Sequence, residues 1–413
     1  MTAQRATGQR LTGQKEIERG NGAPGDTQAA LGYWRRFDSV AEAERLARRR
    51  LPGAMFDRLN RGVDDGVTFA ANRRAYGEVS FRPRAAAVRQ PRSTRTTVVG
   101  AEVSTPVLLA PVGALRLQHP DGVLAAVAAA VRHGTACAIS PAAGHSIEEI
   151  PVPPGAVLWY QITTALGGRD VAERQLEQAR ARGYQAVVVT VDSGLRPKGA
   201  PLRLDPRTVA GLVPDLVRHP RWTWGFVRDG MRLSVANRAL GAAAPPGARP
   251  VEWDDVDWIA AQWGGPVVVK GVLTPEDATE AVARGAAAVV VSNHGGLTLD
   301  GIGATLPALP AIVAAVAGRA DVLLDGGIRT GSDVAKALAL GARAVLVGRA
   351  YVMGLAVGGA AGVQRVLEVL DGDLDRALGF LGCASVSDLG PSHVAVPAAW
   401  PASPATRPAR KVV

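Results

Sequence analysis

Eight short apolar runs, most of them separated by a stretch of helical periodicity, constrain this chain more than any other feature. They fall at residues 107–112 (VLLAPV), 136–140, 156–162, 186–192 (AVVVTVD), 266–271 (PVVVKG), 287–293, 321–327 (DVLLDGG) and 344–349 (AVLVGR). Runs that are apolar throughout, rather than in alternation, belong to strands covered on both faces, as in parallel sheets. Helical patterns at 122–133, 169–182, 275–284 and 332–340 stand between them. Thr274-Pro275-Glu276-Asp277 is a strong helix start, with a capping side chain, proline at the first position and acids in the first turn. Strand–helix units repeated eight times make an α/β fold, a closed (β/α)8 barrel of the TIM type, the leading architecture. An open doubly wound sheet is the alternative, but no GxGxxG follows the first run.

The length of 413 residues allows two domains or one large α/β domain, and a composition of 47% apolar and 20% charged residues is that of an ordinary globular protein. No apolar run approaches the roughly 18 residues of a spanning helix, and the first residues lack the apolar centre of a signal peptide. The expectation is a cytoplasmic protein with no membrane partner. Cys137 and Cys383 make neither a disulfide framework nor a zinc site, so no metal is expected. The net charge of +10 comes from dispersed arginines with no nucleic-acid-binding motif, which argues against nucleic acid as a partner. Residues 1–32 are polar and glycine-rich and are expected to be disordered. The Pro/Ala-rich tail at 391–413 is expected to be unstructured as well. The barrel then occupies 33–390. Residues 39–60 read as helix with a turn near Pro52. The long Pro-, Arg- and Trp-containing segment 193–251 breaks the rhythm after the fourth strand, and its tryptophans favour an ordered lid over the barrel mouth.

Barrel active sites lie at the carboxyl ends of the strands. Those ends deliver Ala110, Pro111 and Val112; Ser140; Gln161 and Thr163; Thr190 and Asp192; Lys270; Ser292, Asn293 and His294; Asp325, Gly326, Gly327 and Arg329; and Gly348 and Arg349. His294, between a buried strand and Gly295-Gly296, is a candidate base, since imidazole titrates near neutral pH. Asp192 can orient it and stabilise its imidazolium form. Lys270 ends the apolar run PVVVK and needs an anion. It stands in a salt bridge, against a cofactor's negative charge, or as a Schiff-base nucleophile. DGGIRTGSD followed by VGRAY puts glycines and arginines in the two loops that bind phosphate in such barrels.

APVGALRLQHPDG, TVDSG, VVVKGV, SNHGGLTLDG and LLDGGIRTGSDVAKALALGARAVLVGRAY together resemble the FMN-dependent α-hydroxy-acid oxidases and dehydrogenases over residues 37–389. The resemblance implies FMN in the barrel, His294 as base paired with Asp192, and Lys270 at the flavin N1/O2 edge. It implies Arg329, Gly348 and Arg349 at the phosphate, and Ala110, Ser140, Gln161, Thr190 and Ser292 lining the flavin. Pro111, Val112, Asp325 and Gly327 join the cofactor set by position. Family members use O2 or an electron carrier as acceptor and are commonly homotetramers.

Three positions depart from the hydroxy-acid pattern. The arginine expected three residues after the base is Leu297, and the two tyrosines expected at the substrate carboxylate are Arg58 and Thr163. Charge-assisted contacts supply much of the affinity for a small carboxylate, so a simple 2-hydroxy acid is expected to bind poorly unless Arg58 compensates. The pre-mycofactocin synthase branch, which oxidatively deaminates a peptide-derived amino-lactam, lacks that arginine too. The chain resembles it in PRWTW and GRAYVMGLA, and departs from it at Leu297-Thr298 and Thr163. The expected activity is oxidation of an α-amino or α-hydroxy carbonyl compound, a small molecule or a modified peptide. The alternatives are a hydroxy-acid oxidase with a rearranged carboxylate site and a non-flavin phosphate-binding barrel.

Overall fold

The computed structural model describes residues 37–87, 89–162, 167–192, 206–230, 249–398 and 400. The chain enters through α1 (Val40–Arg50), α2 (Gly53–Leu59) and α3 (Val67–Glu78), the first two being the expected 39–60 helix broken at Pro52. Ser39 caps α1 by accepting from the Glu42 amide, and three arginines in its last turn complement the helix dipole. A short strand β1 (Ser80–Phe81) and an antiparallel hairpin, β2 (Thr96–Val98) with β3 (Ala101–Val103), precede the barrel.

All eight apolar runs then become strands of one closed parallel barrel: β4 (Val107–Leu109), β5 (Cys137–Ile139), β6 (Leu158–Ile162), β7 (Ala186–Thr190), β8 (Val267–Val272), β9 (Ala288–Val291), β10 (Asp321–Leu324) and β11 (Ala344–Val347). Neighbours pair in chain order, and β11 pairs with β4 to close the ring. One alternate set of residues, including Leu108, Ala138, Trp159, Val188, Val268, Val290, Leu323 and Leu346, fills the interior together with Val98 and Val103 of the hairpin. The other set, including Leu109, Ile139, Tyr160, Val189, Val269, Leu324 and Val347, packs against the helical shell. Burial on both faces is why these strands carry no polar alternation.

The shell contains α4 (Gly122–His133), α5 (Gly168–Ala181), α6 (Pro206–Arg218), α7 (Pro220–Arg228), α8 (Trp253–Trp263), α9 (Pro275–Ala283), α10 (Thr305–Val316), α11 (Gly331–Ala339) and α12 (Arg349–Leu381). Thr274 caps α9 as its sequence suggests. By length and composition α12 could cross a membrane, yet it is broken at Gly358 and Gly359, and 67% of its most apolar window is buried within the protein. It packs on α1, α4 and α11 as a core helix.

Two expectations about segments need restating. The unstructured tail expected from Pro391 does not begin there: β12 (Val394–Ala395) pairs antiparallel with β1, and the Val394 side chain is buried. Composition concealed this, because pairing with a strand some 300 residues earlier leaves no local signal. Within 193–251, α6 and α7 are described and dock on the loop after β4 and on α2. Arg116 holds Asp229 with two hydrogen bonds of 2.7 and 2.6 Å, Trp222 Nε1 donates to Leu117 O, and Asp215 accepts from the Gly53 amide. Residues 1–32, Thr163 and 401–413 lie outside the described residues.

Candidate active site

The inward alternation of the strands, carried two residues past the apolar interior, reaches one residue per strand: Ala110, Ser140, Gln161, Thr190, Lys270, Ser292, Asp325 and Gly348. Eight positions scattered over 240 residues of sequence thus form the top layer of one barrel. Members of the layer are joined: Gln161 Nε2 donates to Thr190 Oγ1 at 2.7 Å and Lys270 Nζ to Ser292 Oγ at 3.0 Å on adjacent strands, and Lys270 Nζ lies 3.0 Å from Asp325 Oδ2 two strands away. Pro111 and Val112 continue β4 at the rim.

His294 sits just above this layer with φ of 54°, a left-handed backbone unusual for a side-chain-bearing residue. Its Nδ1 lies 3.0 Å from Asp192 Oδ1. The carboxylate therefore accepts a hydrogen bond from Nδ1–H, leaving the Nε2 lone pair for a substrate. Burial raises the Asp192 carboxyl, but the hydrogen bond and charge of His294, with the charge of Lys270, outweigh it and hold it below the usual carboxylate range. Gly271, at φ of 108°, makes this approach possible, since a Cβ there would strike the Asp192 carboxyl. The β8–β9 register shifts between Lys270 and Val272 at the same point.

Lys270 is buried, which lowers an ammonium pKa, yet the charges of Asp325 and Asp192 and the hydrogen bond to Asp325 raise it. The amine is held as a cation. A Schiff-base nucleophile needs the opposite.

The turn after β10 presents Gly326 and Gly327, then Arg329. Burial, with the charge of Arg73, lowers the Arg329 guanidinium to about 10. Its Nε is buried without a partner among the described residues. Arg349, the other arginine expected at the phosphate, follows β11 at the start of α12. Its three nitrogens donate to the carbonyls of Leu59, Arg61 and Gly295, and its guanidinium lies over Phe69, tying α2 and the loop after it to the base loop. Burial lowers it to about 10 as well.

These residues fit FMN. The top layer offers an ammonium, an amide and hydroxyls to a polar ring edge. Asp325 Oδ1 and Arg329 Nε are buried polar atoms lacking partners, and the Gly-Gly turn leaves backbone open to a phosphate.

On the substrate side, Leu297 is half-buried on the base loop. Arg58 is half-buried in the last turn of α2, and among the described residues no carboxylate pairs with it. Burial, then the neighbouring charge of Arg61, lowers its pKa. The residues missed from sequence are those that hold the site together. They are Asn72, bonded to Asn293, and Asp300, which accepts from the amides of Val67 and Thr68 at the start of α3. A spacing motif could not reveal them, because each partner lies more than 200 residues away.

A (β/α)8 barrel with this charged layer, a His–Asp pair and a Gly-Gly-Arg turn fits a flavin-dependent oxidoreductase. Comparison with known proteins narrows it. The pattern of the FMN-dependent dehydrogenase family matches residues 47–396. The chain is 41% identical to pre-mycofactocin synthase of Mycobacterium tuberculosis (strain ATCC 25618 / H37Rv) over 380 residues, covering 87% of this chain and 95% of that protein. It is 36% identical to L-lactate oxidase of Nostoc sp. (strain PCC 7120 / SAG 25.82 / UTEX 2576) over 372 residues, covering 86% and 95%. A crystal structure of mandelate oxidase superposes with a TM-score of 0.73 at 34% identity, covering 87% of this chain and 98% of the other. The chain belongs to the FMN-dependent dehydrogenase family, the α-hydroxy-acid oxidases and dehydrogenases, and is an FMN oxidoreductase.

Proposed function

We propose that this enzyme oxidises an α-amino or α-hydroxy carbonyl compound whose carbonyl is not a free carboxylate, in a peptide-derived or other specialised biosynthetic pathway. The observation that carries this reading is Leu297. An apolar side chain stands on the base loop where the family resemblance calls for the arginine that grips a carboxylate. The 41% identity to a pre-mycofactocin synthase supports it.

In this reading His294 Nε2 takes the proton from the substrate's hydroxyl, amine or α-carbon, and Asp192 stabilises the resulting imidazolium. FMN, when bound, supplies the two-electron acceptor. Lys270 keeps a fixed positive charge in the top layer, preorganised by Asp325 and Ser292. Ser140, Gln161, Thr190 and Ser292 line the cofactor, and Arg329, Gly327 and Gly348 stand at its phosphate end. An amine substrate leaves as an imine, which water hydrolyses to a ketone. Reoxidation by O2 or an electron carrier, and assembly as a homotetramer, are carried over from the family as part of the same proposal.

One observation favours a second reading. Arg58 is a half-buried cation without a carboxylate partner among the described residues, and it could grip the carboxylate of a 2-hydroxy acid in place of the missing arginine. Anaerobic bleaching of the purified flavoprotein by a panel of compounds separates the two, with His294→Ala as control. Bleaching by an amino-lactam but not by lactate or mandelate supports the proposal. Rapid bleaching by a simple hydroxy acid refutes it and favours Arg58.

A further inference from the structure

The left-handed backbone at His294 has to be imposed by its surroundings, because the residue does not favour it. The residue before it shows how. Asn293 does not face the ligand layer. Its side chain is buried in a reciprocal amide pair: Asn72 Nδ2 donates to Asn293 Oδ1 at 2.8 Å, and Asn293 Nδ2 donates to Asn72 Oδ1 at 2.9 Å. Both residues are almost wholly excluded from solvent. Asn293 Nδ2 donates again to Gly303 O at 3.0 Å, and the Gly296 amide donates to Asn293 O at 2.9 Å. The turn that carries the base is thereby closed on both sides.

Asn72 also reaches the turn after β10. Its Oδ1 also accepts from the Thr305 amide at 3.2 Å, and Thr305 Oγ1 donates to Asp325 O at 2.6 Å. Its backbone carbonyl lies where a Cβ on Gly327 would sit, so Gly327 is the residue that lets α3 approach. One continuous network therefore runs from Asn293 through Asn72 and Thr305 to Asp325, the counterion of Lys270.

We infer that Asn72 is a positioning residue that sets both the base His294 and the cofactor-side turn at Asp325–Gly327, so that α3 couples proton abstraction to cofactor binding. The inference rests on the reading of His294 as the base. Asn72 touches neither substrate nor cofactor in this assignment; it acts through Asn293 and Thr305.

Two substitutions test it in the holoenzyme. Asn72→Leu removes every hydrogen bond at similar volume. It is expected to slow flavin reduction about a hundredfold, the scale of a small misplacement of a reacting group, and to weaken FMN binding about tenfold, as removal of an outer partner does at other sites. Asn72→Asp carries the sharper signature. As a carboxylate it cannot donate to Asn293 Oδ1, whereas the neutral acid restores one donor and one acceptor. Its deficit relative to wild type is therefore expected to shrink as pH falls. The ionisable groups on the segments meeting here are His294 and Asp192, Lys270 and Asp325, Arg329 and Asp300, Asp333 and Lys336 of α11, and Arg73, Arg74, Tyr76 and Glu78 on α3, so each variant is compared with wild type at every pH.

Wild-type FMN affinity and reduction rate in both variants, with only a lowered unfolding midpoint, would show a merely structural asparagine and overturn the inference. So would an Asn72→Asp deficit equal at every pH. That variant decides the question if Asn72→Leu does not fold. FMN affinity needs no substrate, and reduction can be driven by whichever compound bleaches wild type, so a wrong substrate assignment does not imitate failure here.

Discussion

Replacing Lys270 by methionine should unfold this barrel far more readily than loss of one surface charge would. Lys270 Nζ and Asp325 Oδ2 are 3.0 Å apart, with side chains only 4% and 10% exposed. At that separation and an effective dielectric near 20, the Coulomb attraction is about 5 kcal/mol. Removing one member of such a pair strands the other, at a typical cost of about 3–5 kcal/mol. Asp325 is especially vulnerable, because its Oδ1 already lacks a partner. The double variant Lys270→Met/Asp325→Leu strands neither member of the pair and should recover most of the loss. The assay is denaturant unfolding of the apoprotein, reading midpoint shifts at unchanged slope. A loss below about 1 kcal/mol for Lys270→Met would refute the reasoning. So would a double variant no more stable than that single one, since Lys270 would then be compensated by something other than Asp325.

Three further outcomes follow from the same geometry. Asp192 titrates below the ordinary carboxylate range in the folded state. Its stabilising contribution is present above that range and lost as pH falls through the depressed value, so Asp192→Asn should be less stable than wild type at neutral pH, with the gap closing below about pH 4 in unfolding midpoints. Leu297→Arg should improve the reduction rate over binding constant for mandelate by about 10–100-fold in anaerobic stopped-flow, the worth of one charge-assisted hydrogen bond. An unchanged ratio would mean that position 297 does not face the substrate. Arg116→Met should free α6 and α7, which Asp229 anchors. Losing about 1–3 kcal/mol of charged hydrogen bonding raises the open population several-fold or more, measurable as faster limited proteolysis within 206–230.

The barrel was legible because both faces of each strand are buried, so the apolar runs stood out without alternation, and the period of two placed the top layer once the strands were known. Lys270 and Asp325 were each visible as strand-end residues, but their pairing spans β8 to β10 across the ring and no local pattern announces it. Arg349 stood out through its Gly-Arg; that its nitrogens also donate to carbonyls of α2, the loop after it and the base loop depends on three segments meeting, which no local pattern displays. Asn72 sits in ANRRAY, a stretch that reads only as helix surface until α3 folds across Asn293. The candidate residues for the chemistry stood out in the sequence; the residues that hold them did not.

The account's central claim is that this flavin site has given up a carboxylate grip. The most direct test is anaerobic stopped-flow reduction of the bound flavin by mandelate and by its neutral amide, 2-hydroxy-phenylacetamide, side by side. The amide is expected to reduce the flavin at least as efficiently as the acid. An acid more than about a hundredfold better, equivalent to one or two charge-assisted hydrogen bonds to a carboxylate, would contradict the claim; loss of that advantage in Arg58→Met would then identify Arg58 as the grip.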